Sequence, residues 1–179
     1  GGAGYIGSHT IIEIIRQGRF EPISIDSFIN SDANTASHIY ATTGHHVVNH
    51  QVDICNRSLL AEVMASYDDI AGIIHFAALK SVPDSVGNPL LYYHNNIESL
   101  CNILHVAKAQ QISNIIFSSS CSVYGDVTIS PVDENTPLLP PASPYAYTKQ
   151  IGEQMIKDLA NRYDVIAGSW GYVTSCTNE

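Results

Sequence analysis

The chain has 179 residues, of which 45% are hydrophobic and 14% charged, so it can bury one sizeable core but is too short for two comfortable domains. Its net charge of -9 and the lack of any Lys/Arg run exclude a nucleic-acid partner, because phosphate binding relies on clustered cations. The longest apolar stretch, residues 70–79, is far below the roughly 20 residues that span a bilayer, so we expect a soluble protein without a membrane partner.

The first third of the chain alternates helical and extended patterns. Isoleucines at helical spacing predict a helix over residues 7–17, and Gly18 ends it. Strands are expected at 22–26 and 47–53, each ending on an aspartate, and a helix at 59–67.

The middle of the chain continues the alternation. Residues 71–78 form a continuous apolar run with the length of a buried parallel strand. A long helix over 89–110 follows, with Pro89 in its first turn and Asn88 as its cap.

The last third predicts a strand at 114–118, a Pro-rich loop at 128–142, a helix at 145–163 and a strand at 164–170. Strands that alternate with helices at this spacing form βαβ crossovers. The fold class is therefore α/β, a doubly wound parallel sheet covered by helices on both faces.

We expect one domain over residues 1–179, incomplete at both ends. In a dinucleotide-binding fold the glycine-rich turn joins the first strand to the first helix, and this chain begins inside that turn. It also stops soon after the last predicted strand. The first strand and a C-terminal substrate domain are therefore expected to be missing.

Cysteines and histidines predict neither disulfides nor a metal site. The cysteines are scattered and are expected to be free thiols in a reducing cytosol, at Cys55, Cys101, Cys121 and Cys176. Three clustered histidines lack a carboxylate or Cys at ligand spacing and are interpreted as a polar edge before a strand, at His45, His46 and His50.

Gly1, Gly4 and Gly7 run straight into the first predicted helix. The first glycine permits a tight turn, the second lets the backbone approach a pyrophosphate, and the third allows close helix packing. A glycine-rich turn that binds no ligand is an equally good interpretation, so residues further along the chain must decide.

Asp26 ends the next strand, where a carboxylate accepts hydrogen bonds from an adenosine ribose and repels a 2′-phosphate. This favours NAD over NADP, although a carboxylate that only caps a strand remains the alternative.

Tyr145 and Lys149 are four residues apart, which puts both on one face of the predicted helix. A free tyrosine has a pKa of about 10, and lowering it by about three units requires on the order of 4 kcal/mol. One ammonium at about 4 Å supplies roughly that much, and an oxidised nicotinamide adds a second positive charge. A phenolate base with a lowered pKa is therefore expected, beside the serine-rich end of the 114–118 strand.

Five segments resemble the UDP-glucose 4-epimerase family of extended short-chain dehydrogenases: GGAGYIGSHT at 1–10, HFAALKSV at 75–82, PLLYYHNN at 89–96, FSSSCSVYGD at 117–126 and SPYAYTK at 143–149. Dehydratase relatives carry Thr-Asp-Glu where this chain has Ser120-Cys121-Ser122. The resemblance implies a Rossmann-type NAD-binding domain, UDP-sugar substrates and interconversion of UDP-galactose and UDP-glucose through oxidation and re-reduction at C4. It also implies a cytoplasmic protein whose full-length form is a homodimer.

The resemblance also implies residue roles. Tyr145 is the catalytic base, Lys149 its partner and ribose anchor, and Ser120 the donor to the reacting oxygen. Cofactor contacts are expected from Gly1, Gly4, Tyr5, Ile6, Gly7, Asp26, Asn30, Asp53, Ile54, Phe76, Ala77, Ala78, Lys80, Asn95, Tyr145 and Lys149. Substrate contacts are expected from Lys80, Ser120, Tyr145 and Tyr172.

Plainer interpretations stand beside several of these roles. Asp53 could cap the helix that begins near Asn56, Lys80 could be a solvated loop lysine, and Asn95 could belong to a polar helix face. Strand-end backbone bonding is the interpretation of three neighbouring serines, Ser118, Ser119 and Ser122.

The C-terminal segment departs from the family, which has Arg-Tyr-Phe-Asn-Pro where this chain reads Trp-Gly-Tyr-Val-Thr at 170–174. Only Tyr172 is a tolerable match there. The alternatives for function are another NAD-dependent nucleotide-sugar epimerase, 4,6-dehydratase or decarboxylase, or an inactive dinucleotide-binding fragment.

Overall fold

Helices and strands alternate through the computed structural model, which describes residues 1–128, 131–162 and 166–170. The helices are α1 (Tyr5–Gln17), α2 (Thr35–Thr43), α3 (Arg57–Ala65), α4 (Val82–Gly87), α5 (Pro89–Ala109) and α6 (Pro144–Arg162). The strands are β1 (Ile23–Asp26), β2 (Val48–Gln51), β3 (Ile73–His75), β4 (Asn114–Ser118) and β5 (Ile166–Trp170). A 3-10 turn, Cys121–Tyr124, follows β4.

The described strands pair in parallel and form two sheets, β1-β2 and β3-β4-β5. The glycine-rich start lies between them: the Gly1 amino group donates to the Ile25 carbonyl at the end of β1, and a Cβ on Gly1 would meet the Ala77 nitrogen beyond β3. The carboxyl ends of β1 and β3 therefore flank the turn. The predicted α/β fold with parallel strands is confirmed.

Two helices were missed because their sequence signals are weak. Between β1 and β2, α2 carries β-branched and small residues, and Ile39 is its buried side chain. The six-residue α4 contains Pro83 and begins at a Ser81 cap, whose hydroxyl accepts from the Asp84 N–H. At the start of the chain, α1 begins at Tyr5 rather than at residue 7, which places Tyr5 and Ile6 in the first helical turn.

Two residues considered as helix caps make no capping hydrogen bond through their side chains. Asn88 occupies the predicted N-cap position of α5, but its side chain does not bond that helix, and its backbone N–H donates to the Asp84 carbonyl of α4. Asp53 does not cap α3, because Asn56 does so by accepting from the Leu59 N–H at 3.2 Å. The predicted strand over 47–53 is correspondingly shorter, and Asp53 lies two residues beyond the end of β2.

The main core lies between α3, α5, α6 and one face of β3 and β4. Leu60, Leu100 and Ile115 are at most 1% exposed, and Phe117 is 3% exposed. The opposite face of these strands is different: the paired Ile74 and Ile116 are 38% and 43% exposed. These two side chains are therefore only partly covered by the described residues.

Within the described ranges, none of the helices is long and apolar enough to cross a membrane. Cys55, Cys101 and Cys121 form no disulfide within the described residues. Cys176 lies outside these residues.

Candidate functional site

The glycine-rich turn packs too tightly for side chains at Gly1, Gly2 and Gly7. A Cβ on Gly7 would lie 2.2 Å from the Gly1 carbonyl oxygen, and one on Gly2 would lie 2.3 Å from the Ser24 hydroxyl. A Cβ on Gly4 meets only that same carbonyl oxygen, at 3.6 Å. Gly4 is also the N-cap residue of α1, and because it has no side chain it leaves the first N–H groups of the helix uncapped. The turn therefore presents open backbone at the positive end of a 13-residue helix, an arrangement that suits an anion.

Asp26 is anchored to this turn. One carboxylate oxygen accepts the Ala3 N–H at 3.0 Å and lies 3.5 Å from the Gly1 amino group. The other accepts the Phe28 N–H at 3.0 Å and the Ser31 hydroxyl at 2.8 Å. The carboxylate is thus held where β1 ends, with Ser31 on the oxygen that faces the following loop.

Asp26 is an anion at neutral pH. Burial on its own would raise the pKa of this carboxyl, whereas the hydrogen bonds from the Phe28 N–H, the Ser31 hydroxyl and the Ala3 N–H each lower it. A charged carboxylate beside an anion-binding turn accepts hydroxyl groups and repels a second phosphate.

Other residues expected to contact the dinucleotide differ in their exposure. Tyr5 is 78% exposed, Asn30 and Asp53 are exposed, and Ile54 is buried. Asn95, on α5, contacts the Cys55 thiol, which donates to its carbonyl at 3.6 Å. A polar cleft opens beside this contact and is lined by Asp53, Cys55, Asn56, Arg57, Ser58, Glu98 and Asn102.

The loop after β3 is fixed by a residue that the sequence analysis did not identify. Asn96 accepts the Leu79 N–H at 2.8 Å and donates to the Leu79 carbonyl at 2.9 Å. It also donates to the Thr148 hydroxyl of α6 at 3.1 Å. Phe76, Ala77 and Ala78 are thereby held half-buried beside the glycine turn, while Lys80 stays exposed.

Ser120, Tyr145 and Lys149 converge where β4 meets α6. Ser143 starts this helix by accepting the Ala146 N–H at 3.1 Å, which puts Tyr145 in the first turn. Tyr145 is 9% exposed and Lys149 only 4%. The predicted common face is confirmed, because the Lys149 ammonium lies 5.9 Å from the centre of the Tyr145 ring.

The Lys149 ammonium is bound to the strand. Nζ donates to the Ser118 carbonyl at 2.7 Å and lies 4.8 Å from the centre of the Phe117 ring. Burial lowers the pKa of Lys149 to about 8. His75 is buried nearby, and burial together with the Lys149 charge lowers its pKa to about 3. Lys149 is therefore the charged partner of this pair at neutral pH.

The expected lowering of the Tyr145 pKa is not found in this structure. Burial raises the pKa of the phenol, and the hydrogen bond from Ser120 offsets only part of that rise. Burying a phenolate costs free energy, and this cost outweighs the attraction of a nearby ammonium on which the expected lowering was based. The ammonium that was expected about 4 Å from the phenol is bound to the Ser118 carbonyl.

Ser119 and Ser122 form hydrogen bonds to other side chains, not to the backbone at the strand end as expected. Ser119 donates to the Glu153 carboxylate at 2.5 Å, and Ser122 donates to the Ser120 hydroxyl at 2.9 Å. For Ser118 the backbone interpretation holds, since its carbonyl receives Lys149. The sequence analysis did not identify Glu153, although its position four residues after Lys149 puts it on the same helix face. No local sequence signal indicated the roles of Asn96 and Ser31.

Two further predictions concern residues away from this centre. Tyr172, expected at the substrate, lies outside the described residues. Of the three clustered histidines, His45 pairs with Glu21 at 2.8 Å, His46 stacks on Tyr40, and His50 bonds the Tyr67 hydroxyl. His50 lies within β2 rather than before it.

Comparison with known proteins gives consistent matches. The sequence profile of the NAD dependent epimerase/dehydratase family matches residues 1–173. UDP-glucose 4-epimerase from Yersinia pestis is 40% identical over 159 residues, which are 89% of this chain and 46% of that protein. The enzyme from Bacillus subtilis is 38% identical, over 89% of this chain and 46% of its own length. The chain thus spans about half the length of the curated relatives it matches.

Solved structures agree with these relatives. UDP-glucose 4-epimerase from Bifidobacterium longum, in complex with NAD+ and UDP, superposes with a TM-score of 0.90 at 35% identity, over 94% of this chain and 50% of that one. The resemblance drawn from the five sequence segments is confirmed.

Proposed function

The chain belongs to the NAD dependent epimerase/dehydratase family, and we propose that the protein containing it interconverts UDP-galactose and UDP-glucose. One observation carries this proposal: Ser120, Tyr145 and Lys149 meet at the end of β4, in a fold whose glycine turn and Asp26 suit NAD. Relatives that share this arrangement bear the name UDP-glucose 4-epimerase.

The residues of the turn fit NAD. Open backbone at Gly4 and the uncapped start of α1 can bind the pyrophosphate, and the Asp26 carboxylate can accept the adenosine ribose hydroxyls once Ser31 turns away. The chemistry that NAD supplies when bound is hydride acceptance from sugar C4 and hydride return to the opposite face of the ring.

The chain's own residues supply the proton chemistry. Tyr145 removes the proton of the sugar 4-hydroxyl and later returns it, so the net proton change is zero. Ser120, which lowers the pKa of Tyr145, would donate to the reacting sugar oxygen. Lys149 holds a positive charge on the same helix face and favours the phenolate.

The remaining roles follow the family pattern. The residues proposed to contact NAD are Gly1, Gly4, Tyr5, Ile6, Gly7, Asp26, Asn30, Asp53, Ile54, Phe76, Ala77, Ala78, Lys80, Asn95, Tyr145 and Lys149. Lys80, Ser120, Tyr145 and Tyr172 are proposed to contact the UDP-sugar. Residues 1–179 are taken as one NAD-binding domain.

We propose a cytoplasmic homodimer that binds no nucleic acid. The net charge of -9 opposes phosphate-backbone binding, and scattered cysteines without a disulfide in the described residues suit a reducing compartment. Exposed apolar residues on α4 and α5, among them Val86 at 62% and Leu90 at 78%, support self-association. Sedimentation of the full-length protein at several concentrations tests the dimer.

The activity test is incubation of the full-length protein with UDP-galactose without added NADH. We expect conversion to UDP-glucose, and Tyr145→Phe should bind NAD normally but turn over about 10²- to 10⁴-fold more slowly. Tyr147→Phe is the matched control, because Tyr147 is 46% exposed and two positions away on α6.

Other outcomes separate the alternatives. Release of water from the sugar indicates a 4,6-dehydratase, and release of carbon dioxide from a UDP-uronic acid indicates a decarboxylase. NAD binding without turnover of any nucleotide sugar indicates an inactive dinucleotide-binding protein. Each of these results, in the absence of UDP-glucose formation, refutes the proposed reaction.

A further inference from the structure

Three consecutive serines at the end of β4 interact with α6. The Ser118 carbonyl accepts from Lys149, the Ser119 hydroxyl donates to Glu153, and Ser120 lowers the pKa of Tyr145. The helix residues are spaced by four and share one face. Two of these three interactions involve the proposed catalytic centre. The third, between Ser119 and Glu153, has no role in the proposed reaction.

The bond between Ser119 and Glu153 lies beside a close contact between the strand and the helix. A Cβ on the neighbouring Gly152 would lie 2.5 Å from the Phe117 ring, so the helix backbone packs directly on β4 at this level. Ser119 is 6% exposed, and its hydroxyl donates to the carboxylate at 2.5 Å. A short hydrogen bond to an ionised acceptor is roughly twice as strong as a neutral one. It therefore fixes how far Ser119 lies from α6.

We propose that Glu153 is a positioning residue that acts through Ser119 to hold Ser120 against Tyr145. Ser119 and Ser120 are adjacent, so a shift in the first moves the second. Beyond Ser120 the chain turns into Cys121–Tyr124, where Ser120 also accepts from the Ser122 N–H and hydroxyl. The Ser119 bond anchors the strand side of this turn to the helix that carries Tyr145.

This role rests on the proposed function, because it matters for the position of the proton-transferring groups. Displacement of a catalytic group by about 1 Å can lower the rate about a hundredfold. Loss of the Ser119 anchor should therefore lower turnover, while the binding of NAD and of the UDP group, which other residues carry out, stays nearly unchanged.

Four variants separate the bond from the charge in the full-length protein. Ser119→Ala removes the donor and keeps the carboxylate, Glu153→Gln keeps an acceptor oxygen and removes the charge, and Glu153→Ala removes both. The matched control is Asp158→Ala, because Asp158 is an exposed carboxylate of the same helix whose hydrogen bond is to Gln154.

We expect kcat to fall at least about tenfold in Ser119→Ala and Glu153→Ala, with KM and NAD affinity within about twofold of wild type. Glu153→Gln should stay within about threefold of wild-type kcat, and Asp158→Ala should match it. The acid limb of the kcat profile should move to higher pH in Ser119→Ala, because Ser120 then stabilises the phenolate less well. The double variant Ser119→Ala/Glu153→Ala should be no slower than Glu153→Ala.

Wild-type kcat and an unmoved acid limb in Ser119→Ala would overturn the proposal, as would a Glu153→Gln variant as slow as Glu153→Ala. If Glu153→Ala does not fold, Ser119→Ala and Glu153→Gln decide between the same outcomes.

A second readout does not depend on the sugar substrate. Ultraviolet titration of the NAD-bound protein, with Tyr145→Phe subtracted, gives the pKa of Tyr145. A higher pKa in Ser119→Ala than in wild type supports the positioning role even if UDP-galactose is not converted, and in that case only the proposed function fails. An equal pKa in the two proteins overturns the positioning role.

Discussion

Because Lys149 is buried, the free energy of unfolding should be lower at neutral pH than at mildly alkaline pH. Burial lowers its pKa from the ordinary 10.5 to about 8, and the unfolded chain restores the ordinary value. A difference of about 2.5 pH units at about 1.36 kcal/mol each means that folding with the ammonium charged costs about 3.4 kcal/mol.

The direction of the pH dependence follows from proton uptake. Below pH 8 Lys149 is protonated in both the folded and the unfolded protein, so the full cost of burying the ammonium is present. Between pH 8 and pH 10.5 the unfolded protein binds more protons than the folded one, so the free energy of unfolding rises with pH. From roughly pH 7 to pH 9.5 this amounts to about 2 kcal/mol for a single site with these two pKa values.

The test compares wild type with Lys149→Met by urea denaturation without cofactor, at four values across that pH range. Methionine fills similar space and does not titrate. Its loss of the Ser118 bond shifts the stability by an amount that does not depend on pH. The difference in unfolding free energy between the two proteins should therefore change by about 2 kcal/mol in favour of wild type as pH rises. Parallel pH profiles for the two proteins would refute the buried-ammonium account.

Three further predictions concern the turn, Asp26 and the core. Gly7→Ala should weaken NAD binding at least about tenfold in calorimetry, since its Cβ would lie 2.2 Å from the Gly1 carbonyl oxygen. Gly87→Ala is the control, with no atom within 4 Å. Asp26→Asn should narrow the preference for NAD over NADP in paired titrations, because the charge that repels a 2′-phosphate is gone. Leu60→Ala should lower the urea-derived free energy of unfolding by about 2 to 5 kcal/mol, because Leu60 is fully buried.

Each of these has a contrary outcome. Unchanged NAD affinity in Gly7→Ala would mean that the turn does not bind the pyrophosphate. NADP binding as tight as NAD binding in wild type would remove the role given to Asp26. A loss below about 1 kcal/mol for Leu60→Ala would contradict its place in a close-packed core.

The order of helices and strands could be predicted because its signals are local. Helical spacing marked α1, α5 and α6, and the apolar run 114–118 matched β4 at both ends. Prediction failed where local signals were weak, at α2 and α4. It also failed for the Asn88 side chain, which makes no capping hydrogen bond although Asn88 occupies the N-cap position of α5.

The candidate site, too, could be predicted only in part. That Tyr145 and Lys149 share a face follows from helix geometry and needs no knowledge of the rest of the chain. Their pKa values and bonding partners do not follow from helix geometry. The rise in the Tyr145 pKa, and the hold of the Ser118 carbonyl on Lys149, result from burial between α6 and β4.

The sequence by itself therefore determined the fold class, the glycine turn before α1, the acid at the end of β1 and the spacing of four on α6. Tertiary structure alone decided which groups these residues touch. The Ala3 N–H reaches the carboxylate of Asp26 from 23 residues away, and Asn96 reaches Thr148 across 52. Such contacts depend on how helices and strands pack together, and both the cost of burying a charge and the hydrogen bonds that offset it arise only once that packing has excluded water.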